Sequence, residues 1–173
     1  MRRSCPLPEW WIATHLDGAE ATLARGIMMI DDIYNARILE LAAAVPAPTT
    51  LERSDGSATR HSKLCGSVVR VDVAMDGNAV ADVAMQVKAC ALGQAAASVM
   101  YANAVGATTA EIVEARDALR SMLKDGGEAP GGRFADLAFL APVKDYRARH
   151  ASTLLAAEAL AEAAVAASGR AAA

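Results

Sequence analysis

The stretch SVVRVDVAMDGNAVADVAMQVK, residues 67–88, decides the fold. Val69, Val71, Val73 and Met75 alternate with Arg70, Asp72 and Ala74, so an extended chain here has one apolar face. Asp76-Gly77-Asn78 is turn chemistry: glycine tolerates a left-handed backbone, and Asp and Asn side chains bond their own main chain. Beyond it Ala81, Val83, Met85 and Val87 alternate against Asp82, Ala84 and Gln86. Two period-two runs around a short turn predict an antiparallel hairpin. Just upstream, Thr49–Arg53 and Ala58–Ser62 flank Asp55-Gly56, which predicts a second turn of the same kind.

Helical patterns surround this region. Ile27, Ile30, Ile33, Tyr34, Ile38 and Leu41 recur at helical spacing, which predicts a helix over Ala19–Ala44, ended by Pro46 and Pro48. Ala91–Val105 is dominated by Ala, Ser and Gly, residues that let a neighbouring backbone come close. Thr108-Thr109-Ala110-Glu111 has the spacing of a capping box. It opens a helix that turns Ile112, Ala115, Leu119 and Met122 inward and stops at Gly126-Gly127. Phe134–Leu140 predicts a short apolar turn or helix before Pro142, and Asp145 an N-cap for a last helix reaching Ala167. A helix, antiparallel strands and then several helices define an α+β fold. It is a small antiparallel sheet of about three strands, with helices covering one face.

The chain has 173 residues, which suits one domain with an extension. Residues 1–18, with Pro6, Pro8 and the Trp10-Trp11 pair, form that extension; Met28 or Met29 is an equally sensible start. The domain is expected over 19–167 and a disordered tail over 168–173. A net charge of −3 and the lack of a Lys/Arg cluster argue against a nucleic-acid partner. No continuous apolar run approaches the ~18 residues of a membrane span. Met1-Arg2-Arg3 is followed by Cys5-Pro6-Leu7-Pro8-Glu9 where a signal peptide needs an apolar segment, so a cytoplasmic protein is expected. In a reducing compartment Cys5, Cys65 and Cys90 are not a disulfide framework.

Cys65 and Cys90 bracket the hairpin, so antiparallel pairing brings them to the same end of the sheet. Cys90 also precedes a helix, whose unpaired N–H groups favour a thiolate. His150 shares a helix face with Leu154, Ala157 and Ala161 and is expected to point inward near the same end. Two cysteines and a histidine make a soft-metal ligand set. Each has a plainer reading: Cys65 and Cys90 as buried small hydrophobes, His150 as a satisfied histidine at a helix start. Lys88, Arg149 and the Asp31-Asp32 pair read as solvated surface, and His15 and His61 show no partner. Gly93 either admits a neighbouring helix or weakens its own.

Three segments resemble the U-type iron–sulfur cluster scaffold family (IscU/NifU N-terminal-domain proteins) over Met28–Ala167. Tyr34-Asn35-Ala36-Arg37-Ile38-Leu39 is similar to the family's opening helix. Ser62-Lys63-Leu64-Cys65-Gly66-Ser67 is similar to its N-P-x-C-G-D segment. Lys88-Ala89-Cys90-Ala91-Leu92-Gly93-Gln94-Ala95-Ala96-Ala97-Ser98 is similar to its G-C-A-I-S-x-A-S-x-S segment. The resemblance implies Cys65 and Cys90 as the first two cluster cysteines and His150 as the histidine of some members. The family aspartate is Ser67 here. The third cysteine, in a [HKR]-C-x-x-L segment, is replaced by Ala151 or Ser152, depending on a one-residue gap.

What this implies is a non-enzymatic scaffold or carrier holding iron or a [2Fe–2S] cluster through Cys65 and Cys90, with His150 assisting. A cysteine desulfurase would be its partner, with a chaperone or apo-protein acceptor beyond it, and a homodimer its assembly. The alternatives are a degenerate adaptor of the desulfurase machinery and a zinc-binding sulfur-transfer protein.

Overall fold

In the computed structural model, which describes residues 35–63 and 65–171, the hairpin forms as the alternation requires. Strand β2 (Val68–Asp76) pairs antiparallel with β3 (Ala79–Lys88), and Gly77 turns the chain with a φ of +59°. The register sets Val71 opposite Met85 and Val68 opposite Lys88. It slips once, at Ala74/Met75, where Ala81 is left without an opposite residue. Strand β1 (Gly56–His61) adds to the other edge of β2, giving a three-stranded sheet in the order β1-β2-β3.

The Asp55-Gly56 turn is not a hairpin turn, and Thr49–Arg53 is not a strand. Asp55 instead clips the chain to β2: its N–H bonds Val73 O at 2.8 Å, and its carboxylate accepts Met75 N–H at 2.7 Å. A local Asp-Gly signal is outweighed by pairing with a strand that lies further along the chain.

Helix α1 (Ala36–Ala43) is shorter than the pattern over Ala19–Ala44 predicts. Asn35 is extended and caps it, its side chain accepting Ile38 N–H at 2.9 Å, so the helix starts there. The earlier part of that pattern, Cys5, His15, Asp31-Asp32 and the expected boundary at 18/19 all lie outside the described residues. Helix α2 (Ala91–Ala102) follows β3 and packs on α1. Helix α3 (Thr109–Asp125) has the predicted capping box and ends at Gly126 with a φ of +70°. A 3-10 helix over Gly132–Asp145 runs through Pro142. Helix α4 (Arg147–Ala171) closes the fold, so Tyr146 and not Asp145 directly precedes it.

Helix α4 is the centre of the packing. It touches β1, β2, α2, α3 and the 3-10 helix. It is long and apolar enough to cross a membrane, but 67% of its most apolar window is buried inside the protein. Alanine explains how: Ala156, Ala157, Ala159, Ala161, Ala163, Ala164 and Ala167 present small side chains on several sides, and the sheet lies close against them. At Gly56 a Cβ would run into the Ala163 carbonyl and come within 2.8 Å of Ala167 N. The residues expected to fray are helical as far as Ala171, held by Ser168 Oγ on Ala164 O (3.0 Å) and Arg170 on Asp55 O (3.0 Å). Arg60 of β1 pairs with Glu162 at 2.6 Å. Gly56 thus meets the last turns of α4, while His61 at the other end of β1 lies towards its start.

Candidate functional site

The end of the sheet that faces the start of α4 gathers the chemistry. The β1–β2 loop, residues 62–67, is closed by Ser62 N–H on Ser67 O and Gly66 N–H on Ser62 O, both 2.9 Å. Gly66 takes a φ of +66°, which a residue with a Cβ rarely adopts. That tight loop exposes Cys65 at its tip. Because Val68 pairs with Lys88, the chain leaves β3 beside this loop and reaches Cys90, the N-cap residue of α2. From the third side the first turns of α4 bring Ser152, which is buried.

Ser152 lies against one of the two thiols. Its Oγ is 3.4 Å from Cys90 Sγ and donates to Arg149 O at 3.0 Å. The Cys65 thiol donates to Ser62 Oγ at 3.2 Å and lies 3.0 Å from Ser67 Oγ. These contacts lower its pKa from 9.0 to about 7. The Ser62 hydroxyl contributes most, then the hydroxyl and the backbone of Ser67; slight burial opposes them, and Ser152 adds to the lowering. Cys65 is therefore a reactive, accessible thiol near neutral pH. Its activation comes chiefly from Ser62 and Ser67, not from a helix end.

Of the three site residues read from the sequence, the structure places Cys65 and Cys90 at the same end of the sheet and turns the His150 ring to other partners. His150 is buried, as its helix phase predicts, but Nε2 lies 3.1 Å from Val143 O and 3.0 Å from Lys144 O. Both partners are carbonyls, so Nε2 donates, and it satisfies two main-chain acceptors at the end of the 3-10 helix. Two residues along a helix is ~200° of rotation, so His150 and Ser152 look in opposite directions. Among the described residues no three His, Cys, Asp or Glu side chains form a metal-ligand group.

Of the two residues at this point of the last helix, Ala151 is exposed, and Ser152 is buried with its hydroxyl against Cys90. Sequence reasoning missed the serines as working parts of the site. The signal was present as Ser62-x-x-Cys65-x-Ser67 around a turn-forming glycine, but Ser67 was read only as the absence of an aspartate.

An α+β domain with a three-stranded sheet, a small-residue helix opening on one cysteine and a loop presenting another defines a class: small α+β domains that present two cysteines at one end of the sheet. The chain belongs to the NifU-like N-terminal domain family, whose model matches residues 33–153. It is similar to a crystal structure of the N-terminal part of a nitrogen-fixing NifU-like protein from Brucella abortus. The two are 53% identical with a TM-score of 0.78, over 82% of this chain and 98% of that one. The same fold recurs in a protein from Fervidobacterium islandicum described as a putative iron–sulfur cluster assembly scaffold for the SUF system. That one is 24% identical, with a TM-score of 0.70 over 78% of this chain and 98% of the other. No curated protein matches the sequence.

Proposed function

We propose that this protein is a scaffold or carrier that takes iron or a [2Fe–2S] cluster as cargo on the thiolates of Cys65 and Cys90. The observation that carries this reading is that the strand register sets the loop bearing the exposed Cys65 beside the end of β3, from which the chain reaches Cys90. Membership of the family supports it, and so does the description of the Fervidobacterium relative as a cluster assembly scaffold. Thiolates are the natural ligands of iron–sulfur clusters, and Cys65 ionises readily enough to supply one at neutral pH. Sulfur would come from a cysteine desulfurase, with Cys65 the better placed thiol to receive it. Two thiolates are half of the four ligands of a [2Fe–2S] cluster, so a second copy of the chain or an outside ligand completes the set. The role is non-enzymatic.

Anaerobic reconstitution followed by iron and acid-labile sulfide analysis tests this. The wild type should yield a brown protein with thiolate-to-iron absorption, and Cys65→Ala or Cys90→Ala should abolish it. A colourless, iron-free wild type sinks the reading. A second reading is favoured by Ser152, which cannot accept sulfur: an adaptor that binds the desulfurase without assembling a cluster. It requires desulfurase capture that survives loss of both cysteines.

A further inference from the structure

A cavity of about 520 Å³ opens among the ends of β1 and α3 and the start of α4, lined by His61, Lys124, Arg147, His150, Leu154 and Glu158 among others. Its volume is that of a small-ligand site. His150 and Ser152 look to opposite sides of α4, so this cavity is separate from the thiols. Its charge is unbalanced. Glu158 is neutralised by Arg120 at 2.9 Å, while neither Lys124 nor Arg147 has an anionic partner among the described residues. Among those residues the His61 side chain makes no hydrogen bond. His150 is only 7% exposed, and its Nε2 alone is committed. Two unpaired cations and two imidazoles, carried by three different elements, form a site for a small anion.

The tautomer of His150 narrows the anion. Both partners of Nε2 are carbonyls, so Nε2 holds the proton of the neutral ring and Nδ1 carries a lone pair. Nδ1 is not sealed in the core: among the described residues Ser98 Oγ is the only side-chain polar atom both buried and unpartnered. A ligand seated here must bring negative charge for Lys124 and Arg147 and a proton for Nδ1. A carboxylate, with a pKa of about 4, has no proton to give at neutral pH. A phosphate group keeps or regains one readily, since its second ionisation lies at about pKa 6. We infer that this cavity binds phosphate, either the free ion or the phosphoryl group of a small phosphate ester. The phosphate oxygens accept from Lys124 and Arg147, and a P–OH donates to His150 Nδ1. Leu154 and Leu155 give an apolar wall for the body of an ester. This binding is independent of the cluster cargo.

Calorimetric titration of the reduced, iron-free protein with inorganic phosphate, sulfate, citrate and adenosine monophosphate tests this. Sulfate has the shape of phosphate but no proton at neutral pH, and citrate has the charge without the phosphoryl group. Phosphate should bind saturably, and both of these more weakly by about tenfold, the worth of one hydrogen bond. Lys124→Gln with Arg147→Gln should weaken phosphate by about tenfold for each charge-assisted hydrogen bond removed. Both side chains are exposed, so the variant keeps its fold. Replacing Cys65 and Cys90 by alanine should leave phosphate affinity unchanged. Adenosine monophosphate bound more tightly than phosphate assigns the cavity to a phosphate ester, and binding no tighter assigns it to the free ion. Absence of saturable binding by either, sulfate or citrate bound as tightly as phosphate, or binding indifferent to the two substitutions overturns the inference. A protein that binds phosphate in this way but takes no cluster loses the scaffold reading and keeps the phosphate site.

Discussion

The hydroxyl of Ser152 lies 3.4 Å from the sulfur of Cys90, across 62 residues of chain. A side chain at this position lies against the Cys90 thiol, and its chemistry sets how many sulfur ligands one chain offers. Ser152→Cys should turn a two-thiol site into a three-thiol one. A serine hydroxyl is a poor ligand for iron and a thiolate a good one. The lifetime of a reconstituted cluster against a chelator should rise by on the order of tenfold or more, since even outer-shell partners contribute that much to metal affinity. Visible absorbance during chelation gives the lifetime, and an unchanged decay rate would place Ser152 outside the cargo site.

The Cys65 thiol, at about pKa 7, should show half-maximal alkylation near neutral pH. Ser62→Ala should move the midpoint up furthest and Ser67→Ala next, both towards 9.0, because each removes a donor to the thiolate. Cargo loading needs thiolates, so it should fall as pH drops below about 7 and hold above it. The sign for stability is the same. The folded value is depressed, so its contribution is present above 9.0 and is lost as pH falls through about 7. Solvent screening at so exposed a thiol keeps that contribution small. A midpoint near 9 in the wild type would refute the serine activation.

The β2–β3 hairpin was legible because alternation and turn chemistry are both local, and they agree. So was the placing of Cys65 and Cys90 at one end of the sheet, which follows from strand order alone. The first strand was legible only in part. Asp55-Gly56 looks like a hairpin turn until Val73 and Met75 claim Asp55, and those residues are remote in sequence. His150 was correctly read as inward-facing, but the inside of α4 has several sides. Only its phase against the 3-10 helix shows that the ring meets Val143 and Lys144 instead of sulfur. That Ser152 and not Ala151 is buried against Cys90 also depends on that phase.

The capping box of α3 offers a stability test far from the thiols. Thr108 Oγ1 accepts Glu111 N–H at 3.2 Å, and the Glu111 carboxylate accepts Thr108 N–H at 2.8 Å. The Glu111 pKa is lowered, first by that backbone bond and then by the Thr108 hydroxyl, so the box is strongest with Glu111 ionised. Thr108→Ala should cost about 1–2 kcal/mol. In a chain of this length each ~1 kcal/mol lowers Tm by roughly 2–4 °C. Thermal unfolding gives the loss, and Cys65 alkylation should be unaffected.

Gly93 sets how closely α2 approaches α4 beside the thiols. A Cβ there would lie 2.8 Å from Ala89 Cβ and 2.9 Å from the Ser152 carbonyl oxygen. Two effects compete in Gly93→Ala. Replacing a helix-interior glycine gains up to ~1 kcal/mol in helix propensity. Overpacking against backbone that cannot yield costs ~1–3 kcal/mol. The clash should win, because the atom it meets is main chain at the very residue that bonds Cys90. The variant should unfold at lower denaturant, with the slope unchanged, and the displaced α2 should carry Cys90 away from Ser152. Cluster lifetime should then shorten even at temperatures where the variant is fully folded. A Gly93→Ala protein more stable than the wild type would mean that α2 and α4 can separate there without loss, and the close approach at this site would have no role in placing Cys90.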